Sequence, residues 1–402
     1  GVKIHGFIIQ GPDPSSGYYS SGVVIGGASV EIYDNDFQVT NAGSLDDVSQ
    51  AIQTYHELAI PGVDISGLSI HSNTFTNHGS GLAGYEAIYV NRDAGIDDAE
   101  IQDNEFAGDV LRAVTTERSN TTISGNTIIT DLAPGLPGGY VGILVRDYIG
   151  AQDSVQVMGN IVKGSEEGKG FLTGILIGAS GQSLTNIMVT GNAVEMNDVG
   201  IKVRSSANGV VVNCNNITHN TTYGVENADD VNNLDATKNW WGDVSGPGGE
   251  GTGTGDAVSM YVTFEPWSLT PDPCEPKSKG FWKNHPDSLE AVLALVGTPW
   301  EIGTFEIWDH TDAEEIFNNA SAKYAENMLA AQLLAAGLNA VHLMHLNIDL
   351  CDEAMDAIQG ALNLLNAEGY NGPDSLEIKG KDKQPYLELA EDLDDFNNGE
   401  LC

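Results

Sequence analysis

IMVTGNAV (187–194) and VVVNCNNI (210–217) share one spacing: an aliphatic residue, an asparagine three positions later and an apolar residue two beyond that. The marks recur as Ile32/Asn35/Phe37, Ile70/Asn73/Phe75, Ile101/Asn104/Phe106, Ile123/Asn126/Ile128 and Val157/Asn160/Val162. They continue as Val189/Asn192/Val194 and Val212/Asn215/Ile217, and Ala236/Asn239/Trp241 closes the series. Ile4/Phe7/Ile9 fits a first repeat with Phe in the asparagine position. Successive asparagines lie 22 to 38 residues apart. A constant signature on a variable period means one coil per repeat, with insertions confined to loops.

Each apolar stretch is three to five residues, too short for a helix and right for one side of a coil. Alternation such as V-E-I puts one face inside and one in solvent. A further short strand, opened by Gly or Ala, lies between the marks: AIYV (87–90), GILV (142–145), GILI (174–177) and GIKV (200–203). No amphipathic stretch of helical length interrupts the first 265 residues, which excludes a βαβ fold. The expected architecture is mainly β: a right-handed parallel β-helix over 1–267. The recurring asparagine is read as a buried turn residue whose amide bonds the next coil.

Repeats of this kind closing on NWWGDVSGPGG (239–249) and VSMYVTFEPW (258–267) resemble the NosD-like, pectate-lyase-superfamily β-helix repeats of secreted archaeal and bacterial proteins. The resemblance implies the fold and says little about activity. Trp240, Trp241 and Trp267 would then cap the coil stack, whose last coil otherwise leaves apolar surface and strand edges in water.

After Trp267 the composition changes. SLTPDPCEPKSKG (268–280) is Pro-rich, so 268–279 reads as a linker and 280–402 as a small bundle of about four α-helices. Asp287 and Glu290 give a capping-box start after Pro286; the Ala- and Leu-rich run from about Ala322 to Leu346 suggests a buried central helix. Ala354, Ile358, Ala361 and Leu365 form one helical stripe; Tyr386, Leu389, Leu393 and Phe396 form another, with Gly399 as the stop. Cys274, GFWKNHP (280–286), QLLAAGLN (332–339), LDDFNNG (393–399) and Cys402 resemble a helical module of exported bacterial and archaeal proteins. That resemblance implies extracellular display and no enzymatic activity, with Trp282, Lys283 and His285 structural. Because Cys274 and Cys402 bracket the module, they are expected to pair, which leaves Cys351 and makes Cys214 a buried thiol.

With 17 basic against 57 acidic residues the net charge is −40. Such a polyanion repels nucleic acid and anionic lipid. No apolar run approaches the ~18 residues of a transmembrane helix, so no membrane-spanning segment is expected. The chain begins inside a repeat, which suggests that something precedes Gly1. Sequons at Asn120, Asn216, Asn220 and Asn319, together with the acidity, fit an exported, cell-surface glycoprotein.

Candidates for chemistry are few. Arg92, Arg146 and Arg204 follow successive short strands at near-equivalent positions, with Asp93 and Asp147 beside the first two. Stacked, they would form an Arg/Asp ridge, either catalytic or a ladder of surface ion pairs. Asp46/Asp47 and Asp229/Asp230 are the candidate calcium ligands, on hard-oxygen loops without EF-hand spacing. His342 and His345 lie three apart on a helix but in no zinc motif. Two functions follow as expectations. One is an extracellular structural subunit of a surface layer, sheath, filament or adhesive appendage, assembled as a homo-oligomer or polymer. The other is a β-helix that binds or cleaves polysaccharide.

Overall fold

The computed structural model describes residues 1–10, 20–38, 49–54, 66–77, 86–91, 98–134, 140–147, 151–178, 181–297, 299–321, 323–373, 375–376, 378 and 380–401. Two compact units divide the chain, Gly1–Trp267 and Ser268–Cys402.

The first unit is a parallel β-helix whose described residues form three long parallel sheets of ten, eight and ten strands. Each sheet carries one apolar column in constant register. The first runs Ile32, Ile70, Ile101, Ile123, Val157, Val189, Val212. The second runs Phe37, Phe75, Phe106, Ile128, Val162, Val194, Ile217, and the third Ile52, Ile88, Val114, Ile143, Ile175, Ile201, Val225. All are buried in one core. The phenylalanines stack face to face, with centroids 4.9 and 4.6 Å apart. The small residue that opens the third strand is required by close approach: a Cβ on Gly142 would sit 2.5 Å from Val162 Cγ1.

The corner between the first and second sheets holds the asparagines. The residue before each is left-handed: Asp34, Ser72, Asp103, Gly125, Gly159, Gly191, Cys214 and Lys238 all have φ between 53° and 66°. This turns the asparagine inward. Its Nδ2 then donates to Oδ1 of the next coil's asparagine, from Asn35 through Asn73, Asn104, Asn126, Asn160, Asn192 and Asn215 to Asn239, at 2.9–3.0 Å throughout. The same Oδ1 accepts the backbone N–H of the preceding asparagine, as from Asn104 to Asn126 at 3.0 Å. The turn is thus satisfied coil by coil. At the far end Trp241 is buried in the core, and Trp267 packs beside it with Nε1 donating to Val244 O at 3.0 Å.

Among the described residues the second unit has six α-helices where about four were expected: α1 (Lys279–Asn284), α2 (Pro286–Val296), α3 (His310–Asn319), α4 (Ala325–His345), α5 (Asp352–Ala367) and α6 (Gln384–Asn397). A hairpin of Trp300–Ile302 and Phe305–Ile307 was not anticipated. The central helix α4 packs against all five others. Gly337 inside it is explained by Trp300, whose Cζ2 lies 2.0 Å from where a Cβ would be. The capping box does not form: α2 starts with Pro286 at its first turn and no side chain caps it. Nor is 268–279 a free linker, because Ser268, Leu269, Thr270 and Lys277 are buried.

The polar residues of the three C-terminal motifs meet at one place. Asn339 Oδ1 accepts from Lys277 N (2.7 Å) and Trp282 Nε1 (3.0 Å), and its Nδ2 donates to Lys277 O (2.8 Å) and Asn397 Oδ1 (2.9 Å). Asn397 Nδ2 donates to Gln332 O and Oε1, both at 3.1 Å, and Gln332 Nε2 to Asp394 Oδ1 at 2.7 Å. Trp282 is therefore structural. Lys283 lies in the last turn of α1, and the His285 ring stacks on Phe281 at 4.0 Å.

The disulfide expectation is corrected. Cys214, Cys274 and Cys351 are all disulfide-bonded, and Cys274 is joined to Cys214, not to Cys402. Cys402 lies outside the described residues. Cys214 occupies the left-handed corner, half-buried on the outside of its coil, and so is no inert core thiol. Loop-closure entropy says how much a bridge stabilises, not which thiols meet.

Candidate functional site

The outward face of the third sheet carries a set of ionisable groups in contact. Glu86 and Arg112 are register partners, and Arg112 Nη1 lies 3.0 Å from Glu86 Oε1. Thr115 Oγ1 donates to the same oxygen at 3.3 Å. One position past the strand ends, Arg146 Nη1 lies 3.2 Å from Glu117 Oε1. Tyr89 sits between the pairs; burial first, then the charges of Glu117 and Glu86, raise its hydroxyl pKa. Arg118 is buried and donates to Asn91 O. The next coils turn apolar, with Val141, Leu144 and Leu176 forming a small cluster.

The Arg/Asp ridge does not form as expected. Arg92 and Asp93 lie outside the described residues. Arg146 and Arg204 do hold equivalent positions, but two coils apart, with Gly178 between them. Asp147 is buried, its Oδ2 accepting from Gln182 N (2.8 Å) and Ser205 Oγ (3.3 Å), so it joins coils instead of facing solvent. Glu86, Arg112 and Glu117 were not singled out in the sequence, because single charges in short strands carry no spacing signal. Only the register makes them a set.

Five Lys/Arg–Glu pairs share one geometry. Lys3–Glu31, Arg112–Glu86, Lys163–Glu195 and Lys202–Glu226 each join register partners on adjacent coils, and Arg146–Glu117 follows directly on such partners. These five cations bind coil to coil.

Asp46 and Asp47 lie outside the described residues. Asp229 is engaged by its own surroundings: Oδ1 accepts from Val231 N and Asn232 N, Oδ2 from Ala207 N and Asn232 Nδ2. Burial raises its pKa, but those hydrogen bonds outweigh it and hold the carboxyl at about 2. Asp230 is exposed beside it. Among the described residues no group of three or more His, Cys, Asp or Glu is placed to hold a metal ion. His342 is buried, with Nε2 3.1 Å from Ser268 Oγ and 3.3 Å from Leu269 N, while His345 is half-buried.

A second, shorter amide row went unnoticed in the sequence. Asn197 N donates to Asn220 Oδ1 (3.1 Å), and Asn220 donates from N (2.9 Å) and Nδ2 (2.7 Å) to Asp256 Oδ2. Its signal was the 23-residue spacing it shares with Asn192 and Asn215. Burial pushes Asp256 up to about 6, against the hydrogen bonds from Asn220. Asn220 is consequently buried and its amide committed, so a glycan there would have to break the row. Asn120 and Asn319 are exposed, and Asn216 is half-buried in a strand. Among the described residues α4 alone is long and apolar enough to cross a membrane, and 78% of its apolar window is buried within the structure.

No family model, curated protein or solved structure matches the chain.

Proposed function

We propose that this chain is an extracellular structural protein, a self-assembling subunit of a cell-surface layer, sheath, filament or adhesive appendage. The observation that carries the reading is the use of charge in the β-helix: five of its cations are bound to glutamates at matching register positions of an adjacent coil. Those groups hold coils together and are not free to work on a substrate. With the continuous asparagine row, they make a stiff element whose remaining surface is strongly acidic. Such a surface keeps subunits soluble until divalent cations bridge them. The NosD-like repeats and the GFWKNHP module, both resembling segments of exported proteins, support the same location.

Sedimentation and electron microscopy of purified protein over a range of concentration and calcium test this. Ordered assemblies that grow with either variable are expected; a strict monomer throughout would overturn it.

One observation favours a second reading, polysaccharide binding or cleavage: Glu86, Tyr89, Arg112, Glu117 and Arg146 gather on one face. A guanidinium bonded to a carboxylate is poorly placed to take a proton, so binding is the better form of this alternative. Absorbance of unsaturated products from uronate polymers separates cleavage from binding.

A further inference from the structure

An open pocket of about 400 Å³ lies in the helical unit, lined by Glu290, Leu293, Ala294, Gly297, Trp308 and Asp309. Every polar element of this lining presents negative charge or an acceptor. Glu290 and Asp309 supply carboxylates. Leu293, Ala294 and Gly297 are the last turn of α2 and its left-handed end, where backbone carbonyls run out of helical partners. That turn has no basic residue to offset the negative end of the helix dipole. Asp309 also caps α3, accepting from Thr311 N (2.8 Å) and Asp312 N (3.2 Å), which offsets the positive end of that helix.

One wall is aromatic and held in place. Trp308 is 64% exposed, unusual for the largest side chain in a folded unit. Its ring is nonetheless fixed: Nε1 donates to Glu306 Oε2 at 3.0 Å, and its backbone N–H to Asp312 Oδ2 at 2.9 Å. A pinned indole beside carboxylates presents its electron-rich face without the entropic cost of ordering it on binding. Leu295 and Val296, in the same last turn of α2, are exposed as well.

We propose that this pocket receives a basic side chain, foremost an arginine, presented by a partner protein. The guanidinium would lie over the Trp308 face, with Glu290, Asp309 and the α2 carbonyls accepting its hydrogens. Arginine suits the site better than lysine because it is planar, weakly hydrated and stacks on aromatic faces. The net charge of −40 raises the local concentration of such a segment and makes the encounter salt-dependent.

The test uses the full chain and three synthetic peptides, Gly-Leu-X-Leu-Gly with blocked ends, where X is arginine, lysine or neutral citrulline. The Trp308 indole N–H resonance, identified by its loss in Trp308→Ala, is followed during titration. Saturable shifts with the arginine peptide are expected at millimolar concentration or below, weaker with lysine, at least tenfold weaker with citrulline, and weakened by salt. The expected loss is at least tenfold in Trp308→Ala, read on the remaining pocket resonances, and about threefold in Glu290→Gln. Both residues are exposed, so both variants should keep the fold. Equal binding of the citrulline peptide would reduce the pocket to an apolar surface and overturn the proposal. So would the absence of any saturable shift, unchanged affinity in both variants, or saturation by a neutral oligosaccharide in place of the arginine peptide.

Discussion

Both units bury asparagine, and they use it in opposite ways. In the β-helix each amide meets the same partners as the one before it: the next asparagine and carbonyls of the corner it turns. In the helical unit one amide, Asn339, meets partners of different kinds: the backbone of Lys277, the indole of Trp282 on α1 and the amide of Asn397 on α6. A row spreads its polar satisfaction over many equivalent steps, so that a defect stays near its own coils. A knot concentrates it, and every segment tied there depends on it.

The comparison breaks most sharply at its centre. Asn339→Ala would leave the Lys277 N–H and carbonyl, the Trp282 indole N–H and Asn397 Oδ1 buried without their partner. At ~1–3 kcal/mol for each orphaned group, the expected loss is about 4 kcal/mol or more, a large part of a domain's stability. Asn126→Ala should cost less, about 3 kcal/mol, and disturb mainly the coils of Asn104 and Asn160. Urea titration with hydrogen exchange read separately on α4 and on the first sheet measures both. Equal, unit-wide losses would mean that the row is as cooperative as the knot.

What was legible in the sequence follows the same division. A row repeats, so its asparagines could be found by spacing alone, and with them came the parallel coils. A knot does not repeat. Trp282, Gln332, Asn339 and Asn397 lie in three motifs more than forty residues apart from first to second and from second to third, and nothing local says that they touch. The short row ending at Asp256 fell between the two cases, because two asparagines and an aspartate are too few to make a period. The paired charges of the third sheet were illegible for another reason. Glu86 and Arg112 become neighbours only through a register set by loops of variable length. Cys214 misled because a cysteine amid aliphatic residues reads as core, whereas its left-handed corner puts it outside.

His342 in the helical unit and Asp256 in the β-helix should contribute to the response to acid with opposite signs. In the helical unit, burial first and then the charge of Lys277 lower His342 from 6.5 to about 3. The unfolded chain therefore takes up the proton first. The stability due to the neutral ring is present above pH 6.5 and is lost as pH falls from there toward 3, about 2 kcal/mol by pH 5. In the β-helix, Asp256 is raised from 3.8 to about 6, so the native state binds its proton more tightly. Its contribution is present below pH 3.8 and lost as pH rises through 6, on the order of 1–2 kcal/mol once residual solvent screening is allowed for. His342→Gln should flatten the first slope, provided Gln keeps an acceptor toward Leu269 N. Asp256→Asn keeps an acceptor for Asn220, should flatten the second slope, and should raise stability at pH 7 while leaving it unchanged at pH 4. If His342→Gln and Asp256→Asn changed the pH dependence of their own units, followed by hydrogen exchange, in the same direction, the contrast would fail.

The smallest effect concerns the ion pairs on which the structural reading leans. Lys202 and Glu226 lie 2.6 Å apart with both side chains about one-fifth exposed. Leu176 is the register partner of Lys202 on the preceding coil. Lys202→Met would therefore extend an apolar column already begun by Leu144 and Leu176 while removing one partner of a partly solvated pair. The expected change is within ~1 kcal/mol, and high salt should weaken the wild type toward the variant. A larger loss would mean that Glu226 is desolvated and dependent on its partner. A negligible loss alongside intact assembly would place the stiffness of the coil stack in its asparagine row and apolar columns, with the cations reduced to lowering repulsion between neighbouring acidic coils.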